Sequence, residues 1–154
     1  MIEQTTNAQL IYEIQMDAFR QYETARIPSS AMKETVRSIT DELQTGAYAY
    51  SYVLDGRCVG AVRCRIEEDV LTFYRLAVLP KERGKGIATA LIRHVERNAK
   101  RQHVRTIRCT VRMHVKENVA LYERLGYVLV KEERNERGDD DLLVGTMEKS
   151  LDSD

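Results

Sequence analysis

The chain has 154 residues, of which 24 are basic and 24 acidic, so its formal net charge at neutral pH is zero. This length predicts one domain over residues 1–154, and the balanced charge excludes a generally basic nucleic-acid-binding protein. The hydrophobic share of 43% is far above that of a disordered chain.

The first third of the chain is predicted to form a short strand and two helices. Residues 1–5 fit a strand, and a capping-box pattern, Thr6-x-x-Gln9, starts a helix that runs to about residue 21. Ser29 or Ser30 is the expected N-cap of the second helix. The apolar stripe and the glycine stop of that helix are formed by Met32, Val36, Ile39, Leu43 and Gly46.

The middle of the chain switches to a period of two, which indicates strands. Asp55-Gly56 is typical of a tight hairpin turn, Glu67-Glu68-Asp69 makes a second turn, and Pro80 stops the last strand. The pattern therefore predicts an antiparallel meander with strands at residues 47–54, 58–66 and 70–79.

The last third alternates between helical and strand patterns. Residues 86–100 are the clearest helix, and the segment 70–111 is predicted to be a right-handed crossover between parallel strands. The fold class is therefore α/β, with a mixed, mostly antiparallel sheet of about seven strands, about four helices and the order β-α-α-β-β-β-α-β-α-β-β. The remaining elements are strands at 104–111, 127–133 and 142–149 and a short helix at about 115–125.

The Gly-rich segment 78–89 joins a strand to a helix and favours anion binding. Amide groups at a helix N-terminus are unpaired and carry partial positive charge. Gly84 and Gly86 let a phosphate approach the backbone, and Arg83 and Lys85 add charge. The spacing of a P-loop is absent, and the third glycine of a dinucleotide fingerprint is missing. The alternative is a tight turn before a well-capped helix.

Two segments of the chain contain short motifs that resemble the hallmarks of one known enzyme family. Arg83-Gly84-Lys85-Gly86-Ile87-Ala88 matches the family pattern [Gln/Arg]-x-x-Gly-x-[Gly/Ala], and Leu76-Ala77-Val78-Leu79-Pro80 resembles its lead-in. Leu121-Tyr122-Glu123-Arg124-Leu125-Gly126-Tyr127 resembles the second hallmark. The element order matches the same family over essentially the full length. The chain therefore resembles the GNAT family of N-acetyltransferases, and the resemblance implies the GNAT fold.

The resemblance also implies acetyl-CoA as co-substrate. No metal is expected, because His94, His103 and His114 do not fall at ligand spacings with the cysteines. Loop amides from Arg83 to Ala88 would cradle the pyrophosphate, with Thr89 close by. Leu76, Ala77 and Val78 would line the pantetheine arm, and the two parallel strands would splay where it enters.

Tyr122 corresponds to the usual general acid of the family. A phenol near the sulfur can protonate the departing thiolate. The alternative is a purely structural aromatic, since Val115, Val119 and Tyr122 share a helix face. The family often has an Asn that contacts the cofactor arm at the position where this chain has Val115. Asn118, one turn before Tyr122, could take that role instead.

No strong general base is evident in the sequence. Thr72 stands where histone-type relatives carry a glutamate base. The candidates that would act through water are Glu67, Glu68, Tyr74 and His114. Otherwise the deprotonated fraction of the amine reacts directly.

The two charges of the chain are segregated, which bears on the acceptor. Residues 81–105 contain eight basic and two acidic residues, whereas 132–154 contain nine acidic and three basic ones. The family holds its acceptor with the first two helices and the loop between the last two strands, here residues 132–141. The acidity of this loop suggests a cationic acceptor such as a polyamine, an aminoglycoside or a peptide lysine. The alternative is a solvated loop.

Further candidates to line the cleft are Tyr48, Tyr50, Tyr52 and Arg63 or Arg65.

We therefore expect an N-acetyltransferase that acts on a primary amine of a small molecule or peptide. Three cysteines without a CxxC pair indicate thiols in a reducing cytosol, and no apolar run is long enough for a membrane span. A cytoplasmic protein without nucleic-acid or membrane partners is expected, and a homodimer is compatible. The alternatives are a non-catalytic acyl-CoA sensor and a nucleotide-binding enzyme that uses residues 84–89.

Overall fold

Seven strands form one mixed sheet in the computed structural model, which describes residues 1–20, 30–135 and 142–151. The order across the sheet is β1-β2-β3-β4-β5-β7-β6. The strands are β1 (Ile2–Thr5), β2 (Tyr48–Leu54), β3 (Arg57–Glu67), β4 (Val70–Val78), β5 (Thr106–Arg112), β6 (Val128–Asn135) and β7 (Leu142–Ser150). The helices are α1 (Ala8–Phe19), α2 (Val36–Gln44), α3 (Ile87–Lys100) and α4 (Lys116–Arg124). The predicted element order and fold class are confirmed.

The predicted meander is confirmed, with its turns at the predicted places. Asp55 and Gly56 have φ values of 54° and 75°, so both central residues of the first turn are left-handed. This conformation is the one that matches the twist of a two-residue hairpin. β2 pairs with β3, and β3 with β4, in antiparallel register.

β4 and β5 are the parallel neighbours of the sheet, and they stay paired only briefly. Their register covers Val70 to Thr72 against Thr106 to Arg108. β4 continues to Val78 without pairing with β5, and Arg75 adopts a left-handed φ of 53° within it. The predicted splay of the two parallel strands is therefore present, and it leaves a cleft at the end of β4.

The core lies between α3 and the sheet. α3 buries one apolar face, and each buried Leu or Ile contributes about 1.5–3 kcal/mol by leaving water. Cys64 and Cys109 are buried as free thiols, whereas Cys58 is half-buried. The most deeply buried apolar side chains of this core include Leu71, Phe73, Leu91, Ile92, Val95, Ile107 and Met147.

Two of the predicted helix starts are wrong. The N-cap of α1 is Asn7 rather than Thr6, because the Asn7 side chain accepts the hydrogen bond from the Leu10 amide at 3.1 Å. The second helix begins at Val36, because Thr35 and Ser38 form a reciprocal capping box there. Ser30 instead starts a 3-10 turn that ends at Lys33. The other candidate cap, residue 29, lies outside the described residues.

Candidate active site

The segment between β4 and α3 presents backbone amide groups at the end of β4. A 3-10 turn at Pro80–Glu82 leads into Gly84 and Gly86, whose φ values are 81° and 80°. Gly86 is the N-cap of α3 and offers no side-chain cap, so the first amides of α3 keep their hydrogen-bonding capacity. A Cβ at either glycine would meet no atom within 4 Å, so the space beside them is open.

The Arg83 side chain ties this loop to its surroundings. Its Nε donates to the Val78 carbonyl at 3.2 Å, and its guanidinium NH2 donates to the Ala18 carbonyl at 2.9 Å. These bonds join the end of β4 to the end of α1. Arg83 therefore holds the loop in place as well as bringing positive charge to it.

Lys85 is directed to a neighbouring carboxylate. Its Nζ donates to Glu82 Oε1 at 2.5 Å, and Arg57 lies 3.4 Å from Glu82 Oε2. The hydrogen bond from Lys85, followed by the charges of Lys85 and Arg57, lowers the pKa of Glu82 although desolvation opposes it. Lys85 was expected to add positive charge for an anion, but it forms an ion pair with Glu82 instead. The i, i+3 spacing of Glu82 and Lys85 in the sequence could have indicated this pair.

A cavity of about 530 Å³ lies between the loop, β4 and α4. Of the residues predicted to hold the co-substrate, Lys85 alone does not line it. The cavity size falls in the range typical of small-molecule sites. The lining residues that were predicted are Leu76, Ala77, Val78, Arg83, Gly84, Gly86, Ile87, Ala88, Thr89, Asn118 and Tyr122. Those that were missed are Ala18, Phe19, Glu82, Val115, Glu117, Leu121 and Arg124.

Tyr122 lies on α4 with its ring in the core and also lines the cavity. The ring contacts Phe73 and Tyr127 edge-on, at centroid distances of 5.9 and 6.2 Å. Tyr122 thus makes the core contacts expected of a purely structural aromatic residue. It also has the cavity position that a general acid requires. Val115 and Asn118 line the same cavity from the first turns of α4.

None of the four candidate bases lines the cavity. Glu67 ends β3 and Glu68 follows it, so both lie at the opposite end of β4 from Leu76 to Val78. Tyr74 donates its hydroxyl hydrogen to Glu42, and burial followed by this hydrogen bond raises the pKa of Tyr74 to about 12. His114 is exposed after β5. Among the described residues, the carboxylates at the cavity are those of Glu82 and Glu117.

The side chains suggested for the acceptor side of the cleft are set apart from this cavity. Tyr48, Tyr50, Tyr52, Arg63 and Arg65 do not line the cavity. Arg63 is 1% exposed and pairs with the carboxylates of Glu34 and Glu42, so it has a structural role.

The predicted acidic loop begins later than expected. Residues 132–135 belong to β6, where Lys131 and Glu133 lie 3.4 Å apart. Residues 136–141 lie outside the described part of the chain. The expectation of a ten-residue loop at 132–141 is therefore wrong for its first four residues.

No three or more His, Cys, Asp or Glu side chains of the described ranges are grouped as a metal site requires. No helix in the described ranges is long and apolar enough to cross a membrane.

Residues 8–127 match the model of the acetyltransferase (GNAT) family. A comparison with curated proteins gave no significant match. The matched segment includes the whole Gly-rich loop and ends at Tyr127, so it covers both motif segments of the sequence.

Solved structures resemble the whole chain in fold. The ribosomal-protein-S18-alanine N-acetyltransferase from Escherichia coli has a TM-score of 0.81 at 19% identity, with 100% of this chain and 96% of that chain covered. The PaiA N-acetyltransferase from Thermoplasma acidophilum, solved in complex with coenzyme A, has a TM-score of 0.76 at 15% identity over 98% and 99%. The ribosomal-protein-alanine N-acetyltransferase from Brucella melitensis has a TM-score of 0.75 at 16% identity over 98% and 99%. At these identities the likeness shows the shared fold.

Proposed function

The chain belongs to the GNAT family of acetyltransferases, and from that premise we propose that it moves an acetyl group from acetyl-CoA to a primary amine of a small molecule or peptide. Tyr122 acts as general acid in this proposal. The observation that carries it is one cavity lined both by the Gly-rich loop before α3 and by Tyr122 on α4. In this proposal the diphosphate and the proton donor for the leaving thiolate share that one cavity.

The loop residues fit the diphosphate of acetyl-CoA. Gly84 and Gly86 leave open space beside the backbone, and the N-terminus of α3 is uncapped by side chains. Amides at such an N-terminus stabilise an anion, and the helix dipole adds to this. Leu76, Ala77 and Val78 on the unpaired end of β4 would hold the pantetheine arm through backbone groups, as an added strand.

The chemistry requires a proton for sulfur and the loss of a proton from nitrogen. The acceptor amine bonds to the acetyl carbon, the carbon–sulfur bond breaks, and the sulfur takes the phenolic proton of Tyr122. The amine releases its proton to water, and solvent returns a proton to Tyr122. None of the four candidate bases lines the cavity, so in this proposal an amine that is cationic in solution loses its ammonium proton to solvent before it attacks.

Replacing Tyr122 by Phe tests the acid role. We expect kcat to fall roughly 10²-fold, in the range of general acid catalysis, while the dissociation constant for acetyl-CoA is unchanged. Thiol release and calorimetry measure the two quantities. An unchanged kcat would remove Tyr122 from the mechanism, and acetyl-CoA binding without turnover by the wild-type protein would instead favour the sensor alternative.

We propose a cationic amine as acceptor. The support is the excess of acidic residues between 132 and 154 and the presence of Glu117 at the cavity. An acceptor screen with polyamines, aminoglycosides, peptide lysines and neutral or acidic amino acids tests this. Preference for neutral or acidic amino acids would contradict it. The cytoplasmic location and the homodimer that the sequence suggested stay predictions.

A further inference from the structure

Glu82 is a buried carboxylate at the cavity, and the proposed reaction gives it no role. It is 6% exposed, lies in the 3-10 turn before the Gly-rich loop and lines the cavity. The hydrogen bond from Lys85 lowers the pKa of Glu82, so the carboxylate is ionised at neutral pH. A negative charge beside a site for an anion is unfavourable, because like charges repel and the repulsion is screened less where groups are buried.

Two cations are paired with this carboxylate. Lys85 Nζ donates to Glu82 Oε1 at 2.5 Å, and the Arg57 guanidinium lies 3.4 Å from Glu82 Oε2. The Arg57 side chain is 67% exposed and its contact is long, so Lys85 is the stronger partner. Lys85 also stands between Gly84 and Gly86, which both line the cavity, whereas Lys85 does not. The Lys85 ammonium group is thus bound to Glu82 rather than directed into the cavity.

We propose that Glu82 sets the affinity of the cavity for acetyl-CoA by holding the Lys85 ammonium group away from the diphosphate. This inference rests on the proposed function. In the wild-type protein the backbone amides of the loop and of α3 bind the diphosphate, and the ion pair keeps the Lys85 charge out of the site. Without the carboxylate, the flexible side chain of Lys85 is released toward an anion beside Gly84 and Gly86, where the space is open. Glu82 is therefore a positioning residue that acts through Lys85.

A purely structural role of Glu82 predicts the opposite change in binding. Its ion pairs connect the loop to Arg57 at the start of β3. If these pairs only held the loop in shape, their loss would loosen the site and weaken acetyl-CoA binding. Replacement of Glu82 lowers the melting temperature under both roles, so stability does not separate them. The direction of the change in acetyl-CoA affinity does.

Calorimetric titration with acetyl-CoA tests the proposal. We expect Glu82→Gln, which keeps the size of the side chain, to bind acetyl-CoA roughly fivefold more tightly than the wild-type protein, about the size of one exposed ion pair. The double variant Glu82→Gln with Lys85→Ala should return to the wild-type affinity, because residues 82 and 85 then have no net charge, as in the wild-type protein. Higher ionic strength should reduce the gain of the single variant, since the added contact is electrostatic.

Two control variants show whether the gain is specific to Lys85. Lys81→Ala removes an exposed cation from the same 3-10 turn, so its combination with Glu82→Gln should keep the tighter binding. Glu67→Gln removes an exposed carboxylate at the opposite end of β4, so its affinity for acetyl-CoA should equal that of the wild-type protein.

Weaker or unchanged binding of acetyl-CoA by Glu82→Gln would overturn the inference. A gain that persists in the double variant with Lys85→Ala would also overturn it, because Glu82 would then act by repulsion alone. Equal loss of the gain with Lys81→Ala would contradict the assignment to Lys85. A wild-type protein that does not bind acetyl-CoA would overturn the proposed function itself, and this inference with it.

Discussion

Tyr122 and Tyr127 belong to one aromatic cluster, but their hydroxyl groups have different surroundings. Both pack against Phe73, at centroid distances of 5.9 and 6.0 Å. Tyr127 donates its hydroxyl hydrogen to the buried Glu96 carboxylate at 2.7 Å, and burial followed by this bond raises the pKa of Tyr127 well above its usual value. Tyr122 lines the cavity and Tyr127 does not. Of the two tyrosines, Tyr122 has the position that the proposed acid role requires.

Replacing Tyr127 by Phe should affect stability and leave catalysis alone. The change removes a hydrogen bond to a buried carboxylate, which costs about 1–3 kcal/mol of unfolding free energy. Lys149 and Arg93 still contact Glu96 and limit the loss. Urea unfolding measures the effect, and kcat should stay at the wild-type value. A kcat loss as large as that of Tyr122→Phe would show that the two hydroxyls are not functionally distinct.

The loop between β4 and α3 is the element on which the proposed co-substrate binding depends. Gly84 and Gly86 are needed there for their left-handed backbone, since a Cβ would find open space at both. Gly56 has the same combination of positive φ and open space in the β2–β3 turn, away from the cavity. The chain therefore contains a matched pair of glycines, one at the proposed site and one remote from it.

The substitutions Gly86→Ala and Gly56→Ala should separate the effect of backbone strain on stability from an effect on acetyl-CoA binding. Each substitution places a Cβ in the left-handed region, at a cost of about 1–2 kcal/mol of stability. We expect both variants to lose stability, but only Gly86→Ala to weaken acetyl-CoA binding, because it shifts the first amides of α3. Thermal unfolding and calorimetry measure the two effects. Equal affinities of both variants for acetyl-CoA would contradict this role of the loop.

Elements with a strong local signal could be predicted, whereas helix starts could not. The hairpin at Asp55-Gly56 and the apolar face of α3 follow from short-range pattern and were found. The start of α2 was missed because Thr35 competes with Ser30 as a cap, and only the reciprocal bonds between Thr35 and Ser38 decide between them. The cap at Asn7 was missed for the same reason.

The cavity shows which site residues a sequence can reveal. The loop residues that line the cavity could be predicted, because the spacing of Gly84 and Gly86 before a helix indicates a loop with exposed backbone amides. Glu117, Leu121 and Arg124 were missed because nothing in the sequence shows which face of α4 turns to the loop. The eight cations between 81 and 105 suggested an electrostatic site, yet Arg83 alone among them lines the cavity. Of the basic side chains in the described ranges, Arg83 and Arg124 line the cavity.

At the scale of the whole molecule, a buried charge cluster joins the first two helices to the sheet. Arg63 on β3 pairs with Glu34 at 2.6 Å and with Glu42 of α2 at 3.0 Å. It also donates to Gln15 of α1 at 2.6 Å, and Arg75 of β4 pairs with Glu34 at 3.1 Å. Burial alone would raise the pKa of Glu34, but hydrogen bonds from Gln15 and Arg63 and the charges of Arg63 and Arg75 lower it overall.

Glu34→Gln should therefore reduce stability in a pH-dependent way. A carboxylate with a lowered pKa stabilises the native state above its ordinary pKa of 4.5, and this stabilisation is lost as the pH falls further. At neutral pH we expect a loss of about 1.5–3 kcal/mol in unfolding free energy, as for a hydrogen bond to a charged group. The difference from wild type should shrink at more acidic pH. The exposed Glu67→Gln is the control, and a loss independent of pH would show that the Glu34 charge is unimportant.

Calorimetric titration of the wild-type protein with acetyl-CoA, NAD and ATP tests the assignment of the cavity most directly. We expect saturable binding of acetyl-CoA at one site per chain, and much weaker binding of NAD and ATP. Gly86→Ala should weaken the acetyl-CoA signal, and Tyr122→Phe should leave it intact. Binding of NAD or ATP without binding of acetyl-CoA would contradict the assignment of the loop and α4 cavity as an acetyl-CoA site.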